Sequence, residues 1–377
     1  MKKIKIEPET LLDILEGVET TERYDGYYYS IKDALVIVIL GSICGLQNTR
    51  KIHQWAESEK VSEFLKEKFG IERIPCYYWL LSLLNLVDCD SLNRCLMKWA
   101  ESLLPEEKTG LTVSIDGKTV RSTQKMSCNE SALHIVSAQI SELGITLASK
   151  SVAEKSNEIP AVQELIRELN IEGCLVTADA LNCQRDTAKA IVERKGDYLL
   201  DAKANQPELM KAISEYFEVK SLWKDVSTKK IKEKNRNRIE IRTAYTTADV
   251  DWMPQKGDWE NLSCIGAIKT EFERNGEKSE EWHYYLSSRV LTASELLHHA
   301  RMEWAVESMH WLLDVHYAED SCRLQALSLQ RNLNMLRKFA LSMIKQYKVA
   351  TSSRKALSQI MFDCLLDCNK LLSITQN

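Results

Sequence analysis

The sequence predicts a mixed α+β protein in which an all-helical N-terminal domain precedes an α/β core that a β-rich insertion interrupts. The spacing of apolar residues is helical up to about residue 104, strand-like after residue 110, and strand-like again from about residue 221. At 377 residues and 44% hydrophobic composition, the chain can bury a large core and form more than one packed unit. We therefore predict a helical domain over residues 1–108, the first part of the core over 109–220, the β-rich insertion over 221–290 and the last part of the core over 291–377.

The N-terminal part has apolar residues at three- and four-residue spacings, with helices predicted over Leu11–Val18, Ile31–Ile43, Trp79–Leu86 and Leu92–Trp99. Its longest apolar stretch, Ala34 to Cys44, is shorter than the roughly 20 residues that span a bilayer, and predicts a buried helix. The basic start is followed by Glu7 and Glu9, where a secretory signal would be apolar. We therefore predict a cytoplasmic protein.

The next part of the chain has the pattern of an α/β core. Strands are predicted first, then strands and helices in alternation: Leu111–Ile115, Ala132–Ile140, Ile145–Ser151, a helix over Ile159–Asn170, a strand over Cys174–Ala178, a helix over Gln184–Lys195, a strand over Tyr198–Ala202 and a helix from Pro207. Short connections and right-handed crossovers place the Cys174 strand beside the Leu111 strand, in a mixed sheet with helices on both faces. This order matches the RNase H-like fold.

A β-rich segment and two long helices follow the core. The predicted strands are Arg238–Tyr245, Ser263–Phe272 and Glu281–Ser288, and the predicted helices are Ser294–Val315 and Leu327–Lys348. On the first helix, the spacing predicts an apolar seam of Ala300, Trp304, Trp311 and Val315 beside a polar seam of Glu303, His310 and Asp314. Glu307 lies where the seams meet. We predict core positions, rather than base-stacking roles, for Trp99, Trp304 and Trp311.

Two aspartates follow apolar runs of the strands that the topology places side by side. Asp116 follows Val113-Ser114-Ile115, and Asp179 follows Val176-Thr177-Ala178. Carboxylates this close repel each other unless a cation lies between them. Oxygen ligands without a Cys/His cluster at zinc spacing favour Mg²⁺, with Mn²⁺ as a substitute. Taken singly, an aspartate at a strand end is more often a turn or helix cap than a metal ligand.

Glu307 is the predicted third carboxylate of this site. A carboxylate at the edge of a core needs a metal ion, an arginine or hydrogen bonds, so a structural ion pair is the alternative. With Asp116 and Asp179, Glu307 fits phosphoryl transfer with two metal ions, in which one ion activates the attacking oxygen and the other stabilises the leaving oxygen.

Local basic charge identifies candidate DNA contacts, although the net charge of the whole chain is −4. Lys118, Arg121 and Lys203 lie just beyond predicted strand ends, where they could neutralise phosphates. The stretch from Lys224 to Arg242 contains eight basic and three acidic residues. This excess of positive charge fits a contact with the DNA backbone, and it equally fits a solvated loop. The predicted DNA contacts in and beyond this stretch are Lys230, Lys232, Lys234, Arg236, Arg238, Arg301 and His310.

Five segments resemble the DDE transposases of the ISAs group, which include the H-repeat-associated proteins linked to Rhs elements. They are SIDGKTVR from Ser114, TADALNCQ from Thr177, GDYLLDAKANQP from Gly196, YYLSS from Tyr284 and VESMHWLLDVHYAEDSCR from Val306. Their joint occurrence in this order is specific. The helical half, with GYYYSIKDALVIVILGSICGLQNTRKIHQWA, also resembles the domain that accompanies this core, which implies that residues 1–108 serve DNA-end binding or assembly.

The resemblance implies that Asp116, Asp179 and Glu307 form the catalytic triad. It also implies magnesium-dependent cleavage at insertion-sequence ends, followed by joining of the 3′-hydroxyls to target DNA. The chain departs from the family pattern at Glu303-Trp304 and Glu307-Ser308, where the family commonly has His-Trp and Glu-Asn. An extra acid at Glu303 could weaken DNA contact or alter ion binding.

Three functions remain open from the sequence. The first is an active transposase, which must hold two DNA ends and is therefore expected to form a homodimer or larger assembly on DNA. The second is an RNase H-fold nuclease that cuts without joining. The third is a domesticated or inactive DNA-binding derivative, for which Glu303 and the acidic net charge argue.

Overall fold

The computed structural model describes residues 8–26, 28–123, 132–152, 158–235, 238–274, 277–322, 324 and 326–375. The chain divides into two units. The first comprises Met1–Pro105, Gly117–Asn157 and Glu307–Asn377, and the second comprises Glu106–Asp116 and Glu158–Val306. Each unit is thus built from segments that are distant in the sequence.

The N-terminal part of the first unit is helical, as the apolar spacing predicts. Its helices are α1 (Pro8–Glu16), α2 (Ile31–Ile43), α3 (Thr49–Ala56), α4 (Glu59–Phe69), α5 (Tyr77–Leu86) and α6 (Cys89–Ser102). Ser30 caps α2 because its side chain accepts a hydrogen bond from the Asp33 backbone N–H. Every residue from Ala34 to Ile43 is buried, which confirms the predicted buried helix.

The remainder of the first unit combines two strands with C-terminal helices. β2 (Leu133–Ile140) and β3 (Ile145–Val152) pair antiparallel, and α11 (Leu327–Ala350), α12 (Leu357–Leu366) and α13 (Cys368–Thr375) follow later in the chain. Trp99 is buried against Phe339 of α11, with ring centroids 4.4 Å apart, so its predicted core position is confirmed. Lys338 is also buried, and its ammonium donates to the hydroxyls of Ser137 and Ser149.

The second unit has the predicted alternation of strands and helices. α7 (Glu158–Glu168), β4 (Leu175–Ala178), α8 (Arg185–Glu193), β5 (Asp197–Ala202) and α9 (Pro207–Glu218) follow one another along the chain. The first part of β1 (Thr112–Val120) pairs parallel to β4, and β4 pairs parallel to β5. The predicted placement of the Cys174 strand beside the Leu111 strand is therefore confirmed.

The β-rich insertion extends the strands of the second unit. It contains β6 (Ser227–Asn235), β7 (Arg238–Thr247), β8 (Cys264–Arg274) and β9 (Glu277–Ser287). Each of these strands pairs antiparallel with the next one along the chain, and β9 also pairs antiparallel with β5. The sequence prediction missed β6, because five of its nine residues are charged and few are apolar. A strand at the edge of a sheet tolerates such a composition, since one of its sides meets solvent.

The strand order identifies a mixed α+β, RNase H-like fold. In the first unit β1 neighbours β2 and β2 neighbours β3, and in the second unit the order is β1-β4-β5-β9-β8-β7-β6. The strands β2 and β3 are antiparallel, whereas β1, β4 and β5 are parallel, so the strands are mixed as predicted. Within the described residues, no helix is both long and apolar enough to cross a membrane.

The long helix α10 (Ala293–Tyr317) corrects the predicted seam. Trp304, Trp311 and Val315 are 60%, 61% and 47% exposed, so the two tryptophans are not core residues. The buried side chains between Trp304 and Tyr317 are instead Val306, Met309, His310, Leu313 and Tyr317. Because apolar residues occur on all sides of α10, their spacing alone did not identify the buried face.

Candidate active site

Asp116 and Asp179 lie side by side in the second unit. The paired register of β1 and β4 ends at Ile115 and Ala178, and the two aspartates are the next residues of their chains. The sequence predicted that the strand ends at Ile115, directly before Asp116. β1 instead continues to Val120, so Asp116 lies within the strand. The reason is that β1 leaves β4 at this point and goes on as a neighbour of β2.

Asp179 is held by hydrogen bonds from one asparagine. It caps the short 3-10 helix Ala180–Asn182, accepting from the Asn182 backbone N–H at 3.2 Å and from its side-chain amide at 2.8 Å. Burial raises the pKa of Asp179 above its usual value; the Asn182 hydrogen bonds lower it, while repulsion from Glu158 and Asp116 raises it further. The carboxylate of Asp179 is therefore one that a bound cation would stabilise.

Glu158 is an acid of this cluster that the sequence analysis missed. It is the first residue of α7, is 3% exposed, and accepts a hydrogen bond from the Asn182 side-chain amide at 3.2 Å. Asn182 thus bridges Glu158 and Asp179. Nothing in the sequence around Glu158 distinguishes it from an ordinary first-turn acid of a helix.

Asp201 is a second missed acid, and the sequence did carry a signal for it. Leu200 of β5 pairs with Ala178, so Asp201 follows the same row of residues that Asp116 and Asp179 follow. Its Oδ2 lies 3.0 Å from the Lys203 ammonium and 3.4 Å from His283 Nδ1. Its buried Oδ1 has no hydrogen-bond partner among the described residues. Like the other two aspartates, Asp201 directly follows an apolar run.

Lys203 provides positive charge beside these acids. Burial lowers its pKa, but the charge and hydrogen bond of Asp201 raise it more, and Glu303 and Asp179 add to the increase. The pKa of Lys203 is therefore above its usual value, and the side chain, which is 54% exposed, stays cationic. The position suits the predicted phosphate contact, which stays a prediction.

The first part of α10 is fixed against β1 in the second unit. The Ser114 hydroxyl donates to the Met302 carbonyl at 2.8 Å, and the Thr112 hydroxyl lies 2.7 Å from His299 Nδ1. Glu303 follows Met302 directly, and its charge acts on both Lys203 and Tyr285. The acid that departs from the family pattern therefore belongs to the same cluster as Asp179 and Asp201.

Glu307 lies one helical turn after Glu303, where α10 enters the first unit. Its side chain is exposed, in contrast to the predicted core edge. Arg301, on the preceding turn, forms an ion pair with Glu233 at 2.7 Å, and His310 is buried. The predicted roles of Glu307 as a metal ligand and of Arg301 and His310 as DNA contacts stay predictions.

Lys118 and Arg121 occupy different surroundings in the first unit. Lys118 lies within β1, its side chain 10% exposed, with its ammonium 2.6 Å from Asp314 Oδ1 and 3.1 Å from Glu319 Oε2. Arg121 is exposed, and its backbone N–H donates to Asp320. Arg121 is thus more accessible to a phosphate than Lys118, and both predicted phosphate contacts stay predictions.

The basic stretch lies mainly on β6. Lys230, Lys232 and Lys234 are exposed and alternate along this strand, so their side chains share one face. Arg238 begins β7, opposite Asn235 of β6 and Arg274 of β8. Arg236 lies outside the described residues.

Comparison with known proteins identifies two family models in the chain. Residues 108–343 match the model described as "Transposase DDE domain", and residues 12–100 match the model described as "DDE_Tnp_1-associated". The first model covers more than half of the chain.

Curated relatives resemble the chain over most of its length. The H repeat-associated putative transposase YhhI of Escherichia coli K12 is 29% identical over 92% of this chain and 92% of its own length. The putative transposase YncI of Escherichia coli O157:H7 is 28% identical over 90% of this chain and 88% of its own. Among solved structures, a piggyBac transposase synaptic complex with hairpin DNA has a TM-score of 0.48 and 10% identity, covering 99% of this chain and 80% of that one.

Proposed function

The chain belongs to the transposase DDE domain family, and from this premise we propose that it cuts insertion-sequence ends and joins their 3′-hydroxyls to target DNA. Asp116, Asp179 and Glu307 are the proposed catalytic carboxylates. The observation that carries the proposal is the placement of Asp116 and Asp179 at matched positions directly beyond the paired residues of β1 and β4. Two carboxylates so placed are suited to binding cations between them.

The side chains at this position fit a hard divalent cation. The available donors are carboxylate oxygens, which Mg²⁺ and Mn²⁺ prefer, and burial together with like charge raises the pKa of Asp179. We propose that Asp116, Asp179 and Glu307 hold two Mg²⁺ ions, with Mn²⁺ as a substitute. Such ions, when bound, activate the attacking oxygen and stabilise charge on the leaving oxygen of a phosphodiester.

The neighbouring side chains support this function in distinct ways. Asn182 orients the Asp179 carboxylate through two hydrogen bonds, which fixes one ligand before DNA arrives. Lys203 stays cationic because of Asp201, and we propose that it contacts a phosphate of the DNA end. The exposed lysines of β6 would contact the backbone farther along the same DNA.

A cleavage assay with Asp116→Asn tests the proposal. Purified protein is incubated with labelled DNA that contains the element's terminal sequences, in Mg²⁺ or Mn²⁺, and products are sized on denaturing gels. We expect cleaved and joined products from the wild type and a loss of more than about 100-fold in Asp116→Asn, since removing even an outer partner of a ligand costs 10–100-fold. Equal activity in Asp116→Asn would contradict the proposed site.

Asp186→Asn is the matched control for this experiment. Asp186 is an exposed acid in the first turn of α8, and we expect its replacement by asparagine to leave cleavage unchanged. Cleavage without joined products would instead indicate a nuclease. End-specific binding with no cleavage in either metal would indicate a DNA-binding derivative, which the position of Glu303 in the acidic cluster favours as the second candidate.

A further inference from the structure

An exposed patch of aromatic and arginine side chains lies on the N-terminal helices of the first unit. The aromatic–arginine patch consists of Tyr28, Arg50, Arg73, Tyr77, Tyr78 and Trp79. Tyr78 is 75% exposed, Tyr28 is 63% exposed and Trp79 is 49% exposed. Large apolar rings that are grouped on a surface, rather than scattered singly, mark a site of interaction.

Ring and cation–π contacts link members of the patch, and residues adjacent in the chain join these groups. The Arg50 guanidinium lies 4.5 Å from the centre of the Tyr77 ring, and the Tyr77 and Tyr78 rings are 5.5 Å apart. At the other end, the Arg73 guanidinium lies 5.7 Å from the Tyr28 ring centre. Tyr29, next to Tyr28 in the chain, contacts Trp79 with ring centroids 6.2 Å apart. Cation–π contacts thus hold Arg50 beside the half-buried Tyr77 ring and Arg73 beside the exposed Tyr28 ring.

The patch carries uncompensated positive charge. Arg50 and Arg73 are exposed, and no carboxylate among the described residues lies within 4 Å of their side-chain nitrogens. On the neighbouring segments, Asp25 forms an ion pair with Arg23 and Glu72 forms one with Lys66, while Glu57 contacts the imidazole of His53. The surface therefore fits a partner that is both anionic and rich in flat rings.

We propose that the aromatic–arginine patch binds single-stranded DNA, with bases stacked on Tyr78 and Trp79 and phosphates beside Arg50 and Arg73. Stacking on protein rings requires bases that are not enclosed in a duplex, and aromatic residues with interspersed arginines are suited to unpaired strands. The choice of DNA rests on the function proposed above, because cleavage at an element's end can leave unpaired bases. The associated domain would thereby bind the unpaired strand that such a cut leaves.

A second copy of the chain is a poorer partner for this surface. A two-fold symmetric interface would place the patch against itself. Arg50 and Arg73 would then face the same arginines without acids to compensate them, whereas DNA phosphates supply that charge.

Fluorescence anisotropy with the full-length protein tests the proposal. Binding of a labelled mixed-sequence single strand and of its duplex is measured in EDTA, so that catalysis plays no part. We expect Tyr78→Ala to weaken single-strand binding by about 5- to 150-fold, the effect of losing one stacked base, with duplex affinity unchanged. Tyr78→Phe keeps the ring and should bind as the wild type does.

Phe362→Ala is the matched control, because Phe362 is an exposed aromatic residue of the same unit outside the patch. Circular dichroism melting verifies that each variant is folded. Unchanged single-strand affinity in Tyr78→Ala would overturn the proposal, as would a loss of self-association with DNA binding intact. If the wild type binds single strands but does not cleave DNA, only the proposed function is refuted. If the wild type cleaves DNA and Tyr78→Ala binds single strands as tightly as the wild type does, only the role of the patch is refuted.

Discussion

Asn182 connects the buried Glu158 and the half-buried Asp179. Its side-chain amide donates to both Asp179 and Glu158, and the residue is fully buried. A neutral amide that donates to both carboxylates lets the two lie close together. It leaves their negative charge in place, which is what a divalent cation requires.

We predict that Asn182→Ala lowers the affinity of the site for metal. Without the amide, the Asp179 carboxylate loses its orienting hydrogen bond, and loss of such an outer partner typically costs 10–100-fold in metal affinity or activity. The Mg²⁺ concentration that gives half-maximal cleavage should therefore rise by about 10- to 100-fold. Titration of cleavage rate against Mg²⁺ measures this.

Gln184→Ala is the control for that titration. Gln184 lies in the same turn, but its amide donates to the Leu181 carbonyl and not to a carboxylate. We expect its Mg²⁺ dependence to match the wild type. A folded Asn182→Ala protein with an unchanged Mg²⁺ requirement would show that the asparagine acts only in packing.

At the residue scale, the sequence predicted the aspartates but not their surroundings. Asp116 and Asp179 were found because each follows an apolar run on neighbouring strands. Asp201 also follows an apolar run on a neighbouring strand. At that strand end the sequence analysis assigned a function only to Lys203, two residues further on. Glu158 and Asn182 join the cluster through tertiary packing, which no local spacing encodes.

The two faces of β6 differ in charge. Lys230, Lys232 and Lys234 share one face and are exposed, whereas Glu233, on the opposite face, pairs with Arg301 and Arg242. The basic charge available to a polyanion is therefore concentrated on one side of this edge strand. The sequence showed the excess of positive charge but not this separation.

We predict that replacing Lys230, Lys232 and Lys234 together by glutamine weakens duplex DNA binding and its salt dependence. Each lysine that contacts a phosphate contributes about 0.9 to the slope of log affinity against log salt concentration. The slope should therefore become shallower by up to about 2.7. Affinities measured by anisotropy across a salt series give this value.

Lys229→Gln is the single-site control, because Lys229 is exposed but lies on the other face of β6. Its salt slope should stay close to that of the wild type. A triple variant with the wild-type slope would show that DNA does not contact this face of the insertion.

At the scale of the whole molecule, strand order was the most predictable feature. The alternation of strands and helices, together with right-handed crossovers, predicted β1 beside β4 and so the RNase H-like order. The buried face of α10 was not predictable, because its apolar residues surround the helix. Nor was the composition of the two units, since each combines segments from both halves of the chain.

The proposed reaction has a consequence for the number of chains that act together. Inserting an element joins both of its ends to one target, and each set of Asp116, Asp179 and Glu307 can act on one 3′ end at a time. Two ends held in one complex react as an intramolecular pair, at a much higher effective concentration than free ends. We therefore predict a complex of at least two chains with two DNA ends, formed before joining.

Mass photometry of Asp116→Asn with end-containing DNA and Mg²⁺ measures this, because we expect the variant to bind DNA while its cleavage is blocked. The expected mass is that of two or more chains with two DNA molecules, and DNA without the terminal sequences should not give it. Since two duplexes repel each other and the chain itself carries a net charge of −4, the pairing must rely on local basic surfaces, and its yield should respond to salt. Complexes with one chain and one DNA molecule, at concentrations where the wild type joins ends, would rule out this requirement.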